Sequence, residues 1–333
     1  MAADMIPPAA AMPFLAAAGW GSAQVLPLAG DASFRRYFRV VDTDRRAVLM
    51  DAPPPHEDPR PYLAIARHLA AQGFAAPEIL AEDLGHGLVL IEDFGDDRVR
   101  EHVDATPADE VRVYERAVAL LADLHTLPPA DVAPYDREVY QREAGLLTEW
   151  YCPAIGLDVD VEGYVAAWDA VLPLVEQDDA PRVTVLRDYH AENIMLIDRA
   201  GASHDLGLLD FQDALVGHPA YDLVSLLQDA RRDVSPQIEA RMIAHYKALA
   251  NPTGHFDAAY AVLGAQRNAK IIGIFTRLWQ RDGKPRYLSF LPRMWGLLER
   301  DLAHPALGPV AQWFTANIPA NMRHEALSGH IDA

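Results

Sequence analysis

The sequence has a single cysteine, Cys152, among its 333 residues. One cysteine excludes an internal disulfide, and its scarcity fits a reducing compartment. A catalytic thiol and a packed bystander are both open interpretations. Because free cysteine is among the most buried residue types, the pattern favours the bystander.

Basic residues are also scarce. Lys and Arg total 29 against 48 Asp and Glu, which gives a formal net charge of -19. An acidic surface repels phosphate backbones and anionic lipid, so we expect neither nucleic acid nor a membrane surface as a partner. The plainer interpretation is that the charge keeps the protein in solution.

Long apolar runs are missing as well. Residues 1–20 are rich in Ala and Pro, but they carry Asp4 and lack the basic start of a secretory signal. No other stretch reaches the roughly 18 uncharged apolar residues of a membrane span. These absences predict a cytoplasmic protein. Half of the residues are apolar and 23% are charged, which is typical of a globular chain.

The first ninety-odd residues follow β patterns. Predicted strands lie at 26–28, 34–41, 47–50, 79–84 and 88–91. A helix is predicted at 61–72, with Gly73 as its stop, and Gly85-His86-Gly87 is a hairpin signal. The polar break at 92–97 then indicates a lobe boundary.

From residue 106 the pattern turns helical. Thr106 is the predicted N-cap of a helix that ends near His125, with Asp109 as its capping-box partner. Further helices are predicted at 161–176, 220–231, 237–248, 257–280 and 287–302. One β island, residues 183–209, interrupts them.

The island carries the candidate chemistry. Two apolar runs, 194–197 and 206–209, are joined by a polar turn and predict an antiparallel hairpin. Asn193 begins the first strand and Asp210 ends the second, so both should lie at the open end. Amide and carboxylate oxygens are hard ligands that suit Mg²⁺.

Asp188 lies five residues before Asn193, on the loop that feeds the first strand, where it could face the same opening. Phosphoryl transfer needs a carboxylate that accepts the proton of the acceptor hydroxyl, and ligands that hold Mg²⁺ on the phosphates. The alternative is a hairpin with incidental acids. Neither G-x4-G-K-[ST] nor G-x-G-x-x-G is present, so P-loop and Rossmann folds lose their main support.

Three segments resemble the aminoglycoside phosphotransferase/choline kinase superfamily. Asp188-Tyr-His-Ala-Glu-Asn193-Ile-Met-Leu is similar to its catalytic loop, H-G-D-L-H-x-x-N-I-L. Leu209-Asp-Phe-Gln is similar to its metal-binding I-D-F/W. Gly217-His-Pro-Ala-Tyr-Asp222-Leu is similar to its G-D-P-x-x-D-L.

The resemblance implies an α+β, two-lobed protein-kinase-like fold. Its N-lobe, residues 1–95, would be small, mainly antiparallel β with one helix, and would bind the nucleotide. Its C-lobe, residues 96–333, would be larger, mainly helical, and would carry the catalytic β-hairpin. ATP and Mg²⁺ are the implied cofactors. The implied roles are catalytic base for Asp188, metal ligands for Asn193 and Asp210, and support of the catalytic loop for Asp222.

Two N-lobe segments extend the resemblance. Residues 30–40, Gly-Asp-Ala-Ser-Phe-Arg-Arg-Tyr-Phe-Arg-Val, are similar to the family's phosphate-covering turn, and residues 88–95 to the hinge strand whose backbone receives adenine. The nucleotide-binding residues that the resemblance implies are Ser33, Phe34, Arg35, Arg36, Ile91, Glu92, Asp93 and His190.

The chain departs from the family at three positions. Met50 replaces the lysine of the third strand, Tyr62 its glutamate partner, and Leu186 the first His of H-G-D. Losing the lysine alone would leave a buried carboxylate unpaired, whereas losing both is physically consistent. A substitute cation is then needed, and Arg35 or Arg36 is expected. The alternative is a catalytically weak pseudokinase.

At finer grain the chain resembles the N-acetylmuramate/N-acetylglucosamine anomeric kinases of bacterial cell-wall recycling. The segments that carry this likeness are 30–39, Leu49-Met-Asp-Ala-Pro-Pro54, Glu149-Trp-Tyr151 and 209–214. The second segment makes the missing lysine a feature shared with that group. The resemblance implies ATP-dependent phosphorylation of the C1 hydroxyl of an amino sugar during peptidoglycan recycling.

A stripe of basic residues agrees with an acidic sugar. Arg267, Lys270, Arg277 and Arg281 fall on one side of a predicted helix, where they could meet the lactyl carboxylate of muramic acid. The alternative is a solvated face. Glu149 is a further candidate sugar contact.

Other functions stay open at this point. An aminoglycoside kinase, or another small-alcohol kinase of the choline or homoserine type, is one alternative, and the basic stripe argues against polycationic aminoglycosides. A nucleotide-sensing module that binds ATP without turnover is another. We expect a small-molecule sugar as the partner and a monomeric protein.

Overall fold

A computed structural model describes residues 6–28, 34–198, 204–324 and 326–330. The chain divides into two compact units, residues 1–116 with 192–214, and residues 117–191 with 215–333. The sequence-based lobe boundary after residue 95 falls inside the first unit, and the hairpin of the β island also belongs to that unit.

The described strands are β1 Gln24–Pro27, β2 Arg36–Val41, β3 Arg46–Asp51, β4 Ile79–Asp83, β5 Leu88–Glu92, β6 Val183–Val185, β7 Ile194–Leu196, β8 Leu206–Leu208 and β9 Leu215–Gly217. The first five form one antiparallel sheet in the order β1-β2-β3-β5-β4. A strand is predicted from the β-type runs near each of these five, although the predicted strands 26–28 and 34–41 are Gln24–Pro27 and Arg36–Val41 in the structure. Phe38, Val40, Leu49 and Leu90 form the buried face of this sheet.

The described α-helices are α1 Ala11–Ala17, α2 Arg60–Ala71, α3 Val99–Ala105, α4 Glu110–Leu124, α5 Arg137–Leu146, α6 Cys152–Ala154, α7 Val161–Val171, α8 Pro173–Glu176, α9 Ala220–Leu227, α10 Pro236–Ala250, α11 Phe256–Gln280, α12 Leu291–Leu302 and α13 Gly308–Asn317. A π-helical turn, Leu147–Tyr151, continues α5. Among the described residues, no helix combines the length and apolar character needed to span a bilayer.

Helix α2 belongs to the first unit. Leu63, Ala66 and Leu69 are buried along one face of α2, as the periodicity predicts. Each fully buried leucine contributes about 1.5–3 kcal/mol relative to an exposed one. Gly73 follows the helix with φ +86°, a left-handed conformation that glycine adopts without strain.

The cap at Thr106 was predicted wrongly. Thr106 makes no side-chain capping bond, and a 3-10 turn, Pro107–Asp109, precedes α4. The carboxylate of Asp109 is instead engaged by His102 Nε2 at 3.0 Å and Arg112 Nη2 at 2.9 Å. It is therefore not available to close a capping box.

The second unit is mainly helical, as expected, although several helix bounds differ. The predicted helix at 161–176 is split into α7 and α8 before Pro173, which has no N–H to donate to the preceding turn. The predicted helix at 287–302 starts at Leu291, after the 3-10 segment Pro285–Phe290. The helix predicted at 220–231 ends at Leu227.

Helix α11 is the core element of the second unit. Its 25 residues extend over about 37 Å, and most of them are buried. It packs against α5, α9 and α12. A helix that is buried on most of its sides is typical of such a central position, although α11 also buries polar residues such as Gln266, Arg267 and Asn268.

Candidate active site

The hairpin of the first unit confirms the predicted β pairing. Strands β7 and β8 are antiparallel, with Ile194 opposite Leu208, and the Leu209 N–H donates to the Asn193 carbonyl oxygen at 2.9 Å. Asn193 and Asp210 therefore flank the same end of the hairpin. Asp210 has φ +57°, and its carboxylate accepts a hydrogen bond from Gln212 Nε2 at 2.9 Å.

The donor set at this end fits Mg²⁺. Asp210 offers a carboxylate that is 30% exposed, and Asn193 offers an amide oxygen. Mg²⁺ is usually held by one or two protein carboxylates, with substrate phosphates and water completing its octahedron. Within the described ranges, no cluster of three or more His, Cys, Asp or Glu could enclose a metal by itself.

Arg35 and Arg36, the two candidate substitute cations, differ in their surroundings. Arg35 is 8% exposed, and its Nη2 lies 3.8 Å from Asp210 Oδ1, while its Nε lies 3.9 Å from Glu57 Oε2. Arg36 donates from Nε to Asp51 Oδ2 at 2.9 Å across strands β2 and β3. Arg35 is thus the cation beside the candidate metal ligand.

The positions of the missing lysine and glutamate are dry. Met50 is fully buried, and Tyr62 is 3% exposed. The Tyr62 ring stacks on Phe211 at 4.9 Å between centroids, and its hydroxyl has no hydrogen-bond partner among the described residues. Burial raises the pKa of Tyr62 well above its ordinary value, so the phenol stays neutral. Two uncharged side chains therefore lie where the resemblance places an ion pair.

The turn before β2 is described only in part. Ser33, a predicted nucleotide contact, lies outside the described residues. Phe34 is 66% exposed, its ring stacks on His56 at 5.1 Å, and its N–H donates to Glu57 Oε1 at 3.2 Å.

The predicted hinge is held by its own side chains. Ile91 is buried in β5, the Glu92 carboxylate accepts from the Glu78 N–H at 3.1 Å, and Asp93 pairs with Arg39 Nε at 2.8 Å. The side chains of Glu92 and Asp93 are thus used to fix this segment. The backbone is also engaged, because the Glu92 N–H donates to the Glu78 carbonyl and the Gly95 N–H to Asp93 Oδ1, both at 2.9 Å.

A cavity of about 460 Å³ borders the hinge within the first unit. Arg46 is the one basic residue in the described part of its lining. The acidic residues there are Glu92, Asp93, Asp96, Asp97 and Asp198. Such a lining repels phosphate.

In the second unit, Asp222 holds the backbone that precedes Asp188. The N–H groups of Leu186 and Arg187 donate to the two Asp222 carboxylate oxygens at 2.6 and 2.8 Å. Arg187 has φ +71°, a conformation that costs a non-glycine residue about 1–3 kcal/mol. Burial raises the pKa of Asp222 to about 7, although the two hydrogen bonds oppose that shift. This is the position expected of a loop-supporting carboxylate.

Asp188 is surrounded by cations. Burial by itself would raise the pKa of the Asp188 carboxyl, but Lys270, Arg267 and Arg187 outweigh it and hold that pKa below the ordinary value. Asp188 is therefore ionised at neutral pH. An ionised carboxylate is the form that a proton acceptor requires.

Glu143 of α5 organises those cations, and sequence reasoning missed it. Its carboxylate binds Lys270 Nζ at 3.1 Å, the Arg187 guanidinium and the Tyr135 hydroxyl. Glu143 is nonetheless held ionised, because Lys270 and Arg187 outweigh its burial and lower its pKa. The available signal was a glutamate on the buried side of a helix that the sequence pattern had not revealed.

His190, a predicted nucleotide contact, is buried in the same unit. Arg231 Nη1 donates to its Nε2 at 3.3 Å. Burial lowers the pKa of His190 to about 4, so the ring is neutral at physiological pH.

The basic stripe is not one solvated face. Arg267 is 4% exposed and donates to Ser225 Oγ at 2.9 Å and the Gln228 carbonyl at 3.3 Å. Lys270 pairs with Glu143. Arg281, just past α11, pairs with its neighbour Asp282 at 2.7 Å. Arg277 differs from all three, because its buried Nε has no acceptor among the described residues.

Two other sequence candidates can be placed. Glu149 is exposed on the π-helical turn, and its charge acts on Arg277. Cys152 is buried, and burial raises the pKa of its thiol to about 12. The thiol stays protonated at neutral pH, which favours the bystander over the nucleophile.

Known proteins are similar to this chain over most of its length. An N-acetylmuramate/N-acetylglucosamine kinase from Pseudomonas aeruginosa is 39% identical over 319 residues, which cover 91% of this chain and 92% of that protein. A kinase of the same name from Caulobacter vibrioides is 35% identical over 356 residues, which cover 95% of this chain and 98% of that protein.

A solved structure shows the same fold at low identity. The ternary complex of streptomycin, ATP and APH(2″)-IIa matches with a TM-score of 0.58 and 13% identity, covering 84% of this chain and 93% of that one. The model of the phosphotransferase enzyme family, APH, matches residues 24–260. The chain therefore belongs to the APH phosphotransferase enzyme family.

Proposed function

We propose that this protein is an ATP- and Mg²⁺-dependent kinase that phosphorylates the anomeric C1 hydroxyl of N-acetylmuramate, N-acetylglucosamine or both. The product would be a sugar 1-phosphate made during peptidoglycan recycling. The observation that carries the proposal is Asp188, which neighbouring cations keep ionised, five residues before a hairpin flanked by Asn193 and Asp210. The names of the two relatives support the choice of sugar.

The reaction needs few protein groups. The C1 hydroxyl oxygen forms a bond to the γ-phosphorus, the bond to the ADP oxygen breaks, and Asp188 takes the hydroxyl proton. Asn193 and Asp210 would hold Mg²⁺, which when bound neutralises charge on the phosphates. Asp222 would keep the loop backbone in place through its two hydrogen bonds.

The nucleotide site is proposed on the N-lobe, residues 1–95, with His190 added from the catalytic loop. Its members are Ser33, Phe34, Arg35, Arg36, Ile91, Glu92 and Asp93. Arg35 is the favoured replacement for the lysine absent at Met50, because it lies near Asp210 while Arg36 is engaged by Asp51. ATP in the structure of a protein with this fold supports ATP as the donor.

The charges around Asp188 favour a sugar over a cationic alcohol. Lys270, Arg267 and Arg187 all act on this carboxylate, so an aminoglycoside or choline would bring positive charge toward positive charge. The residues proposed to contact the sugar are Glu149 and three basic residues of α11, Arg267, Lys270 and Arg277. Use of ATP is consistent with a cytoplasmic enzyme, and we propose that it acts as a monomer.

The test is ADP release with a panel of acceptors at fixed ATP and Mg²⁺. We expect turnover with both N-acetylated sugars and none with their methyl glycosides, whose C1 oxygen carries no proton. Phosphorus NMR should identify a sugar 1-phosphate. Phosphorylation of a methyl glycoside would contradict the C1 assignment. Faster turnover of kanamycin or choline would contradict the sugar, and ATP binding without any turnover would indicate a pseudokinase.

A further inference from the structure

Helices α5 and α11 run side by side in the same direction. Gln266 Nε2 donates to the Tyr140 carbonyl at 3.0 Å, and Lys270 lies 3.1 Å from Glu143. One turn later Gly273 lies against Leu146, where an added Cβ would be 2.3 Å from its carbonyl carbon. The paired positions advance together by three or four residues. The next pair in this register is Arg277 with the π-helical turn that carries Glu149 and Trp150.

The π-helical turn is an unusual local structure. It spans Leu147–Tyr151, and Leu147 and Tyr151 are buried while Glu149 is exposed. Single π turns within α-helices are rare and frequently occur at functional sites. The extra residue in such a turn changes the directions of the side chains that follow α5. Here the altered turn lies next to Arg277.

Two hydrogen-bond donors in this region lack acceptors. The Arg277 Nε and the Trp150 Nε1 are both buried, and within the described part of the chain neither has a hydrogen-bond partner. Leaving a buried donor unsatisfied costs about 1–3 kcal/mol, and more for a charged group. The other stripe residues, Arg267, Lys270 and Arg281, all have acceptors. Neighbouring unsatisfied donors, one of them cationic, are suited to an anionic oxygen ligand.

The pKa of Arg277 also indicates that this side chain lacks a close counterion. Burial lowers the pKa of Arg277, Arg281 adds to that effect, and Asp282 and Glu149 only partly oppose it. Asp282 is already paired with Arg281, and no ion pair joins Glu149 to Arg277 within the described residues. A ligand carboxylate would supply the missing negative charge.

The spacing along α11 relates this pair to the catalytic loop. Arg277 lies seven residues beyond Lys270, which is about 10 Å along a helix. Of the cations that lower the pKa of Asp188, Lys270 has the largest effect. A sugar whose C1 hydroxyl lies at Asp188 could direct a substituent from the far side of its ring toward Arg277.

We propose that Arg277, assisted by the Trp150 indole N–H, binds the lactyl carboxylate of N-acetylmuramate. This inference rests on the proposed function and adds the residues that separate its two sugars. N-acetylglucosamine has a hydroxyl in place of the lactyl ether and gains nothing from the guanidinium. Glu149, one residue before Trp150, lies where it can accept from a sugar hydroxyl.

The experiment measures kcat/KM for both sugars with the wild type and Arg277→Gln. We expect the ratio of muramate to glucosamine kcat/KM to fall about ten- to hundred-fold, mainly through KM. Trp150→Phe keeps the ring and removes the donor, so it should lower the same ratio by a smaller factor. Arg277→Lys should restore part of the loss. Arg281→Gln, one turn away with a partner of its own, is the matched control and should leave the ratio within twofold.

Each outcome decides the inference. Equal losses on both sugars in Arg277→Gln, or an unchanged ratio, would overturn the carboxylate subsite while leaving the kinase assignment intact. A lower melting temperature with an unchanged ratio would give Arg277 a structural role instead. A wild-type protein that phosphorylates neither sugar would overturn the proposed function, and this subsite with it.

Discussion

At the scale of single residues, Asp188 combines an ionised carboxylate with a backbone that other residues hold. Its neighbours Leu186 and Arg187 are fixed by Asp222, and the charges of Lys270 and Arg187 are shared with Glu143. The carboxylate is thus held in its basic form. This arrangement separates the reacting group from the groups that position it.

Asp188→Asn tests the proton acceptor. The amide has nearly the same shape but cannot take the hydroxyl proton, so kcat should fall by about 10²–10⁴-fold. Calorimetric titration with ATP and Mg²⁺ should give nearly wild-type affinity, and the melting temperature should change little. Turnover near that of the wild type would show that another group is the base.

Asp210→Ala tests the metal ligand. Losing this carboxylate should weaken nucleotide binding by at least about tenfold when Mg²⁺ is present and much less with EDTA. Asn193→Ala should lower activity in the same way. Asp198→Ala, at an exposed acid just beyond β7, is the control. Equal affinity in Mg²⁺ and EDTA for the Asp210 and Asn193 variants would place the metal elsewhere.

Met50→Lys tests whether a lysine at this position, as in the family's pattern, would raise activity. Met50 is fully buried and its helix counterpart is Tyr62, so the new ammonium would have no carboxylate there. An unpaired buried charge costs several kcal/mol, so we expect a lower melting temperature and no gain in kcat/KM. Met50→Leu, which conserves volume, should cost less than about 1.5 kcal/mol. A several-fold gain in activity from the lysine would contradict this explanation.

At the scale of elements, the sequence indicated some parts of the site and concealed others. The hairpin β7–β8 was predictable because two short apolar runs around a polar turn have few other ways to bury themselves. Helix α5 was not, because its buried face mixes Tyr140, Glu143 and Ala144 and gives no apolar period. The π-helical turn was equally hidden, since it depends on packing against α11. A sequence motif was therefore enough to identify Asp188, whereas the residues around it could be identified only from the tertiary structure.

Gly273 is the contact point between α11 and the end of α5. A Cβ there would lie 2.3 Å from the Leu146 carbonyl carbon and 2.4 Å from its oxygen, so the two helices would have to separate. Gly273→Ala should destabilise the protein by about 1–3 kcal/mol and reduce activity on both sugars. Gly296→Ala in α12, where nothing lies within 4 Å, should be neutral or slightly stabilising. Equal changes in stability for the two substitutions would contradict the importance of this helix contact.

At the scale of the whole molecule, buried titratable groups of both kinds set the pH dependence of stability. Burial lowers the pKa of His125 to about 3, and those of His190 and His218 to about 4. It raises the pKa of Asp222 to about 7 and that of Asp301 well above the ordinary value. The unfolded chain therefore binds extra protons at its histidines below pH 6.5, whereas the folded chain keeps protons on its aspartates above pH 4.

These two groups predict a maximum of stability near pH 6–7. Below this pH the unfolded chain binds extra protons at three histidines, and the folded chain keeps extra protons at only two aspartates. The free energy of unfolding should therefore fall by about 1 kcal/mol for each unit by which the pH decreases. Above it the histidine contribution ends, and the unfolded chain, which releases protons that the folded aspartates retain, becomes more favourable. Melting temperatures from pH 5 to 8.5 should trace this curve, and Asp301→Asn should flatten its alkaline side. A melting temperature that rises steadily through pH 8.5 would show that the two aspartates are ionised in the folded protein, and that Asp222 holds the catalytic loop as a full carboxylate throughout.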